Sequence, residues 1–354
     1  MKTNFLIYGA YGYTGKLIVE RAVNEGLRPV LGGRDAGKTR ALAEQYGLPF
    51  VVFDTADERA LRAALEPVAA VLHCAGPFSK TTPAMAGACL ATHTHYLDIT
   101  GEIEVFEHLA ALDAPARRAG VTLLPGVGFD VVPSDCLALH LKEQLPDAVE
   151  LQLAFRSLGA FSRGTALTAA ESMDKGGMIR RNGQLTPVPA AYDVRAIDFD
   201  GTGAVPAVTI PWGDVATAFY STGIPNIRVY MAQGRGMIRF LKLSRKLGWL
   251  LRLPVVKRFV IGLINRRVQG PTEQQRQTGR SYLWGQVSNA AGGRVTARLV
   301  TPEAYHLTAV TALLATQRIL AGNVPTGFQT PAKAFGAAFI REVAGVALTP
   351  VSAR

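Results

Sequence analysis

Three glycines at three-residue intervals follow a short apolar run near the N-terminus. The chain reads NFLIYG from Asn4 to Gly9 and continues Ala-Tyr-Gly-Tyr-Thr-Gly to Gly15. Glycines at this spacing let the backbone turn tightly and bring N–H groups against an anion at the start of a helix. The turn therefore predicts a pyrophosphate site, with a ligand-free glycine turn as the alternative. Its candidate cofactor-binding residues are Gly9, Tyr11, Gly12, Tyr13, Thr14 and Gly15.

The second apolar run, RPVLGGR, ends at Arg34. In NAD sites this strand usually ends in an Asp or Glu that binds the ribose 2′-hydroxyl, whereas an arginine there can pair with a 2′-phosphate. Lys38 adds positive charge, while the adjacent Asp35 keeps the acidic alternative open. The sequence therefore predicts NADP (NADPH) as the cofactor, with Arg34 as its 2′-phosphate contact.

Three polar side chains are candidates for proton transfer. Hydride transfer to a C=C or C=N bond needs an oriented cofactor and an acid, and a phenol or carboxyl group can supply the proton. Tyr220 in AFYSTG is one candidate, with Asp214 close in sequence, and Asp130 at the end of VTLLPGVGFD is another. Two of them also have a structural alternative, because Tyr220 could pack in a core and Asp130 could cap a helix.

Alternating strand and helix patterns must position these residues. Apolar runs ending near Gly9, Arg34, Asp54, Gly76 and Asp98 are separated by helical spacings. This alternation predicts a Rossmann-type, doubly wound parallel sheet that binds its ligand at the carboxyl ends of the strands. The residues Ala75, Gly76, Pro77, Phe78 and Asp130 fall at those ends. The later runs YDVRAIDF, AVPAVTIPWGD and IPNIRVYMA alternate as strands do, and predict a second α+β domain with a mixed sheet.

The positive charge of the chain is concentrated in one segment. The net charge is +11, and residues 228–267 contain 11 Lys or Arg and no Asp or Glu, so the remaining chain carries 27 basic and 27 acidic residues. No nucleic-acid-binding motif accompanies this segment, and we expect no nucleic-acid partner. Helical spacing groups Arg235, Arg239, Lys242 and Lys246 on one side and Met237, Phe240, Leu241, Leu247 and Leu251 on the other. Such a helix could meet an anionic membrane surface, an acidic carrier protein, a lipid-linked substrate, its own domain or a dimer mate.

Cysteine and histidine placement gives little sign of a metal. The three cysteines form no Cys-x-x-Cys pair, and no further ligands accompany Cys89, His93 and His95, so we expect neither a metal site nor disulfides. The N-terminal sequence is broken too early by glycine for a secretory signal, and no apolar run is long enough to span a bilayer. We expect a cytoplasmic protein, peripheral at the inner face of the membrane if the basic segment binds lipid.

Five sequence blocks in order resemble one known family. The blocks YGAYGYTG, GGR, CAGPF, HYLDITGE and GFDVVPSD resemble the saccharopine dehydrogenase-like oxidoreductases, and the later IPWGDVATAFYSTGIPNI, TPEAYHLTAVTALL and TPAKAFGAAF resemble their trans-acting enoyl reductase branch. The resemblance implies Asp54 as an adenine-side contact, Ala75 to Phe78 as the loop near the nicotinamide ribose, and Gly101-Glu102 and Gly128 to Asp130 as blocks facing the same end. Tyr11 replaces the smaller residue usual in that turn.

The resemblance also gives expectations about domains and activity. We predict an NADP-binding domain at 1–130, a substrate and dimerisation domain at 131–324 with the basic insertion 228–267, and a segment at about 325–354 that packs back on the first domain. The implied activity is NADP-dependent reduction of a C=C (enoyl) or C=N bond in a small-molecule, acyl or lipid-linked substrate, with a homodimer as a further expectation. The alternative is a membrane-associated scaffold that binds a dinucleotide without turnover.

Overall fold

The computed structural model describes residues 4–157, 176–244, 258, 261–263 and 270–349. The chain divides into two compact units, of which the first comprises Met1–Val132 and Tyr305–Gly336 and the second Pro133–Ala304 and Ala337–Arg354. The chain thus returns to the first unit at Tyr305 rather than near residue 325. Its last part differs from the prediction as well, because Ala347–Thr349 pairs antiparallel with a strand of the second unit.

The first unit is built on a seven-stranded parallel sheet, counted over the described residues. Its strands are β1 (Phe5–Tyr8), β2 (Val30–Gly33), β3 (Phe50–Val52), β4 (Ala70–His73), β5 (His95–Asp98), β6 (Thr122–Leu124) and β15 (Gly327–Phe328). Their order is β15-β6-β5-β4-β1-β2-β3. The chain places β2 and β3 on one side of β1 and then β4, β5 and β6 on its other side, which is the arrangement of a doubly wound sheet. All four side chains of β1 are buried, as expected for a strand covered on both faces.

Helices alternate with these strands along the chain. They are α1 (Tyr13–Asn24), α2 (Ala36–Tyr46), α3 (Glu58–Leu65), α4 (Phe78–Thr92), α5 (Ile103–Ala111) and α6 (Asp113–Ala119), followed much later by α11 (Ala304–Leu320) and α12 (Pro331–Phe335). Local chemistry sets several of their ends. The carboxylates of Asp35 and Asp57 accept the N–H groups of Lys38 and Ala60, each at 3.0 Å, and so cap α2 and α3. Gly47 ends α2 in the left-handed region, which glycine enters without steric cost.

The second unit contains a mixed sheet. Its described strands are β7 (Glu150–Ser157), β8 (Gly177–Arg181), β9 (Gln184–Val188), β10 (Val194–Asp198), β11 (Ala204–Thr209), β12 (Asn226–Ala232), β13 (Arg280–Ser288), β14 (Arg294–Pro302) and β16 (Ala347–Thr349). The main path is β10-β11-β12-β7-β13-β14-β16, and β8 pairs with both β12 and β9. Only β12 and β7 are parallel among these described pairs. The predicted fold class, a Rossmann-type sheet followed by an α+β unit with a mixed sheet, is confirmed.

Helices and aromatic side chains complete the second unit. Its described helices are α7 (Val132–Gln144), α8 (Asp214–Thr222), α9 (Arg235–Ser244) and α10 (Glu273–Thr278), with a 3-10 helix at Ala337–Glu342. One core cluster is formed by Ala154, Ile197, Phe199, Ala207 and Tyr230. Most of the basic segment beyond α9, including Lys246, Leu247 and Leu251, lies outside the described residues. Within the described ranges, no helix combines the length and the apolar character needed to cross a bilayer.

Candidate functional site

The glycine turn connects β1 to α1, and its backbone leaves no room for larger residues. Gly9 has a φ of +81°, and a Cβ there would lie 2.9 Å from the Cβ of Ala75. A Cβ on Gly15 would lie only 2.3 Å from the carbonyl oxygen of Gly9. The helix that follows begins at Tyr13 with Gly12 as its N-cap, which offers no side-chain cap. The positive end of α1 is thus arranged to receive an anion, as a pyrophosphate site requires.

Tyr11 closes the turn against the end of β2. A Cβ on Gly33 would lie 2.4 Å from Cε1 of Tyr11, so the tyrosine ring is packed directly on the glycine backbone. The Nζ of Lys38 lies 5.8 Å from the centroid of the same ring. An aromatic face and a cation therefore stand beside the strand end that the sequence assigns to the adenosine part of a dinucleotide.

The neighbouring charges distinguish Arg34 from Asp35. Asp35 accepts the N–H of Lys38 and forms an ion pair with the Lys38 Nζ at 3.2 Å. These hydrogen bonds, the backbone one first, lower the pKa of the Asp35 carboxyl. Asp35 is thus the cap of α2, while Arg34 is exposed at the end of β2. The acidic alternative for the ribose contact is therefore weakened, since the carboxylate that would fill it is bound to its own helix.

Asp54 lies just after β3, at the carboxyl ends of the parallel strands, as Arg34 does after β2. It is exposed, and its Oδ1 accepts the N–H of Ala56 at 2.9 Å. The Tyr8 hydroxyl donates to the carbonyl of Phe53 at 3.2 Å. Burial, with the charge of Asp54 as a secondary cause, raises the pKa of Tyr8 to about 12. Tyr8 therefore stays neutral, and its hydrogen bond to the Phe53 carbonyl fixes the residue that precedes Asp54.

The loop Ala75 to Phe78 follows β4 and begins α4. Its Gly76–Pro77 peptide bond is cis. The Glu102 carboxylate accepts the N–H groups of Phe78 and Ser79, each at 2.9 Å, and so binds the positive end of α4. The sequence assigned Glu102 to the cofactor end only through the resemblance. Its role as a cap from 24 residues downstream was not predicted.

Asp98 joins two of the loops at this edge of the sheet. Its buried carboxylate accepts hydrogen bonds from the Tyr96 hydroxyl at 2.6 Å and from the N–H groups of Thr100 at 3.0 Å and Gly126 at 2.9 Å. Burial raises the pKa of Asp98 to about 7, against the opposing effect of these hydrogen bonds. Asp98 thereby fixes the loops that follow β5 and β6.

Asp130 lies in the loop after β6 and contacts the loop after β5. A Cβ on Gly101 would lie 2.8 Å from the Oδ2 of Asp130, so the carboxyl group is packed on the Gly101 backbone. Desolvation by the surrounding protein raises the pKa of Asp130 to about 7. The side chain is nevertheless partly exposed. A carboxyl group in this state can donate a proton near neutral pH, which is the property that an acid catalyst needs.

Helix α11 holds the Asp130 loop and reaches the glycine turn. The Thr308 Oγ1 accepts the N–H of Phe129 at 3.0 Å, and the Thr311 hydroxyl donates to the carbonyl of Val127 at 2.7 Å. The Tyr305 ring meets the Tyr13 ring edge to face, with centroids 5.0 Å apart. These contacts add Tyr305 and Thr308 to the candidate site. The block TPEAYHLTAVTALL contained the signal, but its partners lie about 180 residues away along the chain.

Tyr220 and Asp214 lie on α8 of the second unit, whereas Asp130 lies in the first. Asp214 is fully buried in the first turn of the helix. The Tyr220 ring is partly exposed and packs edge to face on Phe219, with centroids 5.7 Å apart. The buried Arg180 guanidinium lies 4.3 Å from the Phe219 ring centroid and 5.9 Å from that of Tyr220. The Tyr220 ring therefore lies near a cation, and Tyr220 stays a candidate acid.

The residues considered as metal ligands have other partners. His93 Nδ1 lies 2.8 Å from the carbonyl oxygen of Ala119, and His95 Nδ1 accepts the N–H of Thr122 at 3.0 Å. In the part of the chain that the structure describes, no group of three or more His, Cys, Asp or Glu side chains could hold a metal ion.

Comparison with known proteins defines the class of the first unit. Residues 5–124 match the family described as saccharopine dehydrogenase NADP binding domain. This part of the first unit is therefore similar to the NADP-binding domain of saccharopine dehydrogenases, and the predicted resemblance and cofactor are confirmed. Over its full length the chain shares the fold of apo saccharopine dehydrogenase (L-Glu forming) from Saccharomyces cerevisiae, with a TM-score of 0.67, 14% identity and 99% of each chain covered.

Curated relatives from mycobacteria carry the name trans-acting enoyl reductase. The protein from Mycobacterium tuberculosis is 26% identical and that from Mycobacterium leprae 28% identical, each over 185 residues. Each match covers 48% of this chain and 44% of the relative. The chain thus matches less than half the length of these relatives.

Proposed function

We propose that the protein is an NADPH-dependent reductase that acts on the C=C bond of an α,β-unsaturated acyl group. Reduction of a C=N bond is the alternative within the same class. The observation that carries the proposal is the Asp130 carboxyl group, which lies at the carboxyl edge of an NADP-binding sheet with a pKa of about 7. The relatives named enoyl reductase support the acyl substrate.

The residues of the first unit would hold the cofactor from one end to the other. The glycine turn and the start of α1 would bind the pyrophosphate, and Arg34 with Lys38 would pair with the 2′-phosphate. Tyr11 would face the adenosine beside these cations. When bound, NADPH supplies the hydride for the reduction.

Proton delivery would fall to Asp130. Addition of a hydride to the β-carbon of an enoyl group leaves an electron pair that needs one proton at the α-carbon, and the protonated Asp130 carboxyl can supply it. Tyr220 is the second candidate for this step, because a phenol can deliver a proton. Asp214, fully buried on the same helix, is better suited to fixing α8 than to meeting substrate.

The proposal includes a substrate class, a cellular location and an oligomeric state. An acyl or lipid-linked chain fits the enoyl reductase resemblance, and a cytoplasmic location fits three cysteines that form no disulfide. We keep a homodimer through the second unit as a prediction, to be measured by light scattering.

The experiment has two steps. Titration of the protein with NADPH, followed by nicotinamide fluorescence, tests the site, and NADPH oxidation with trans-enoyl thioesters of increasing chain length tests turnover. We expect micromolar binding and oxidation that depends on the unsaturated substrate. Failure to bind NADPH would contradict the reductase proposal at its base. Tight binding without oxidation of any enoyl or imine substrate would instead favour the scaffold alternative.

A further inference from the structure

Helix α9 is anchored to the second unit by a narrow apolar stripe. Ile238 is buried and belongs to a cluster with Ala191 and Val208, and Leu241 packs against the same cluster. These two side chains lie about 60° apart on a helical wheel at about 100° per residue. The helix is therefore attached through one side only. The sequence analysis placed Leu241 on one apolar side with Met237 and Phe240, but in the fold Leu241 is packed while Met237 and Phe240 are exposed.

The opposite side of α9 presents large apolar side chains to solvent. Met237 is 50% exposed, Phe240 58% and Leu243 57%. On the same wheel these three residues span about 120° and do not overlap the buried stripe. Single exposed apolar residues are ordinary, but three on successive turns of one helix form a continuous surface of the kind that binds a partner.

Cations border this apolar surface. Arg235, Arg239 and Lys242 are all exposed on α9, within an arc of about 60° that adjoins Leu243 on the helical wheel. The whole segment 228–267 contains no acidic residue, while the rest of the chain is neutral. An apolar face with a row of cations beside it is the pattern of a helix that lies in the interface of an anionic bilayer.

The charge pattern also selects among the occupants. Two copies of α9 packed on each other would bring like charges together, which is unfavourable at an interface. A bilayer with anionic lipids offers negative charge at the depth of the head groups and apolar volume just below it. It can therefore bind the row of cations and the exposed apolar surface of α9 at the same time.

We propose that α9 docks the protein on an anionic lipid surface. Met237, Phe240 and Leu243 enter the boundary between head groups and acyl chains, and Arg235, Arg239 and Lys242 contact lipid phosphates. This role goes beyond the reductase proposal and does not depend on it. If both hold, the reductase works at a surface where apolar acyl substrates accumulate.

The test is vesicle sedimentation of the 354-residue chain. We expect binding to phosphatidylcholine vesicles that contain phosphatidylglycerol, little binding to phosphatidylcholine alone, and weaker binding as salt increases. Phe240→Ser with Leu243→Ser should weaken binding about tenfold or more, because two large apolar side chains no longer enter the interface. Arg239→Glu should also weaken it about tenfold, through the loss and reversal of one charge.

Matched variants elsewhere on the second unit serve as controls. Val149→Ser removes an exposed apolar side chain and Arg294→Glu reverses an exposed cation, and neither should change vesicle binding. Circular dichroism and denaturant unfolding report that each variant is folded. The proposal would be overturned if the parent protein ignored anionic vesicles, if the α9 variants bound as well as the parent, or if Phe240→Ser with Leu243→Ser altered only the oligomeric state.

Discussion

Replacement of Asp130 by asparagine tests the proposed acid. Because the pKa of Asp130 is raised to about 7 by desolvation, about half of the molecules carry the proton at about pH 7 and about a tenth at about pH 8. If protonation of the substrate limits the rate, kcat of the parent should fall about tenfold for each pH unit above that pKa. In Asp130→Asn the amide cannot replace the acid, so kcat should drop by about 10²- to 10⁴-fold and the residual rate should lose this pH dependence.

The same substitution has a consequence for stability with a defined sign. Since the folded-state pKa of Asp130 is raised from 3.8 to about 7, its stabilising effect is complete at acid pH and is lost as the pH rises through about 7. At about 1.4 kcal/mol for each tenfold change in proton affinity, the cost of the charged form is at most about 4 kcal/mol, and partial exposure reduces it. Asp130→Asn should therefore be more stable than the parent at alkaline pH.

Enoyl-dependent NADPH oxidation and denaturant unfolding, each measured across the pH range from about 5 to about 9, examine both effects. Tyr220→Phe tests the second candidate acid, and it should keep the pH profile of the parent if Asp130 supplies the proton. A parent rate that stays flat through neutral pH, or an unchanged kcat in Asp130→Asn, would exclude Asp130 as the acid. A variant less stable than the parent at alkaline pH would contradict the raised pKa of Asp130.

Three further substitutions probe the cofactor site and its support. Arg34→Ala should raise the dissociation constant of NADPH about 10- to 100-fold and leave that of NADH unchanged in fluorescence titration; equal effects on both would refute the 2′-phosphate contact. Gly15→Ala should abolish NADPH binding, because the added Cβ meets the Gly9 carbonyl oxygen at 2.3 Å, and retained affinity would contradict it. Asp98→Asn should lower stability by about 1–3 kcal/mol in denaturant unfolding, because an amide cannot accept all three hydrogen bonds. An unchanged midpoint would show that these bonds contribute little.

The sheet of the first unit could be predicted because its signals are local. Apolar runs, glycines and helical spacings alternate along the first 130 residues. The turn at Gly9 to Gly15 could be recognised because its backbone leaves room only for glycine at Gly9 and Gly15. The preference for NADP could likewise be read from Arg34. Asp35 caps α2 by accepting the N–H of Lys38, and so it is not available to bind the ribose. This contact is local, and it could have been predicted once the start of α2 was known.

The supports of the site could not be predicted, because their partners are distant in sequence. Glu102 caps α4 from 24 residues downstream, and Thr308 holds Phe129 across 179 residues. Hydrophobic periodicity says which side of a helix is apolar but not which apolar residue will find a partner. On α9, Ile238 and Leu241 are packed while Phe240 is exposed, and that division follows from where the second unit places Ala191 and Val208.

The most direct test of the reductase account follows the hydrogens into the product. The protein is mixed with NADPH that carries deuterium at the transferable position and with a trans-enoyl thioester, and the acyl product is examined by mass spectrometry. We expect a saturated acyl chain with one deuterium from the cofactor and one hydrogen from solvent. Absence of a saturated product, or a saturated product without deuterium, would contradict it.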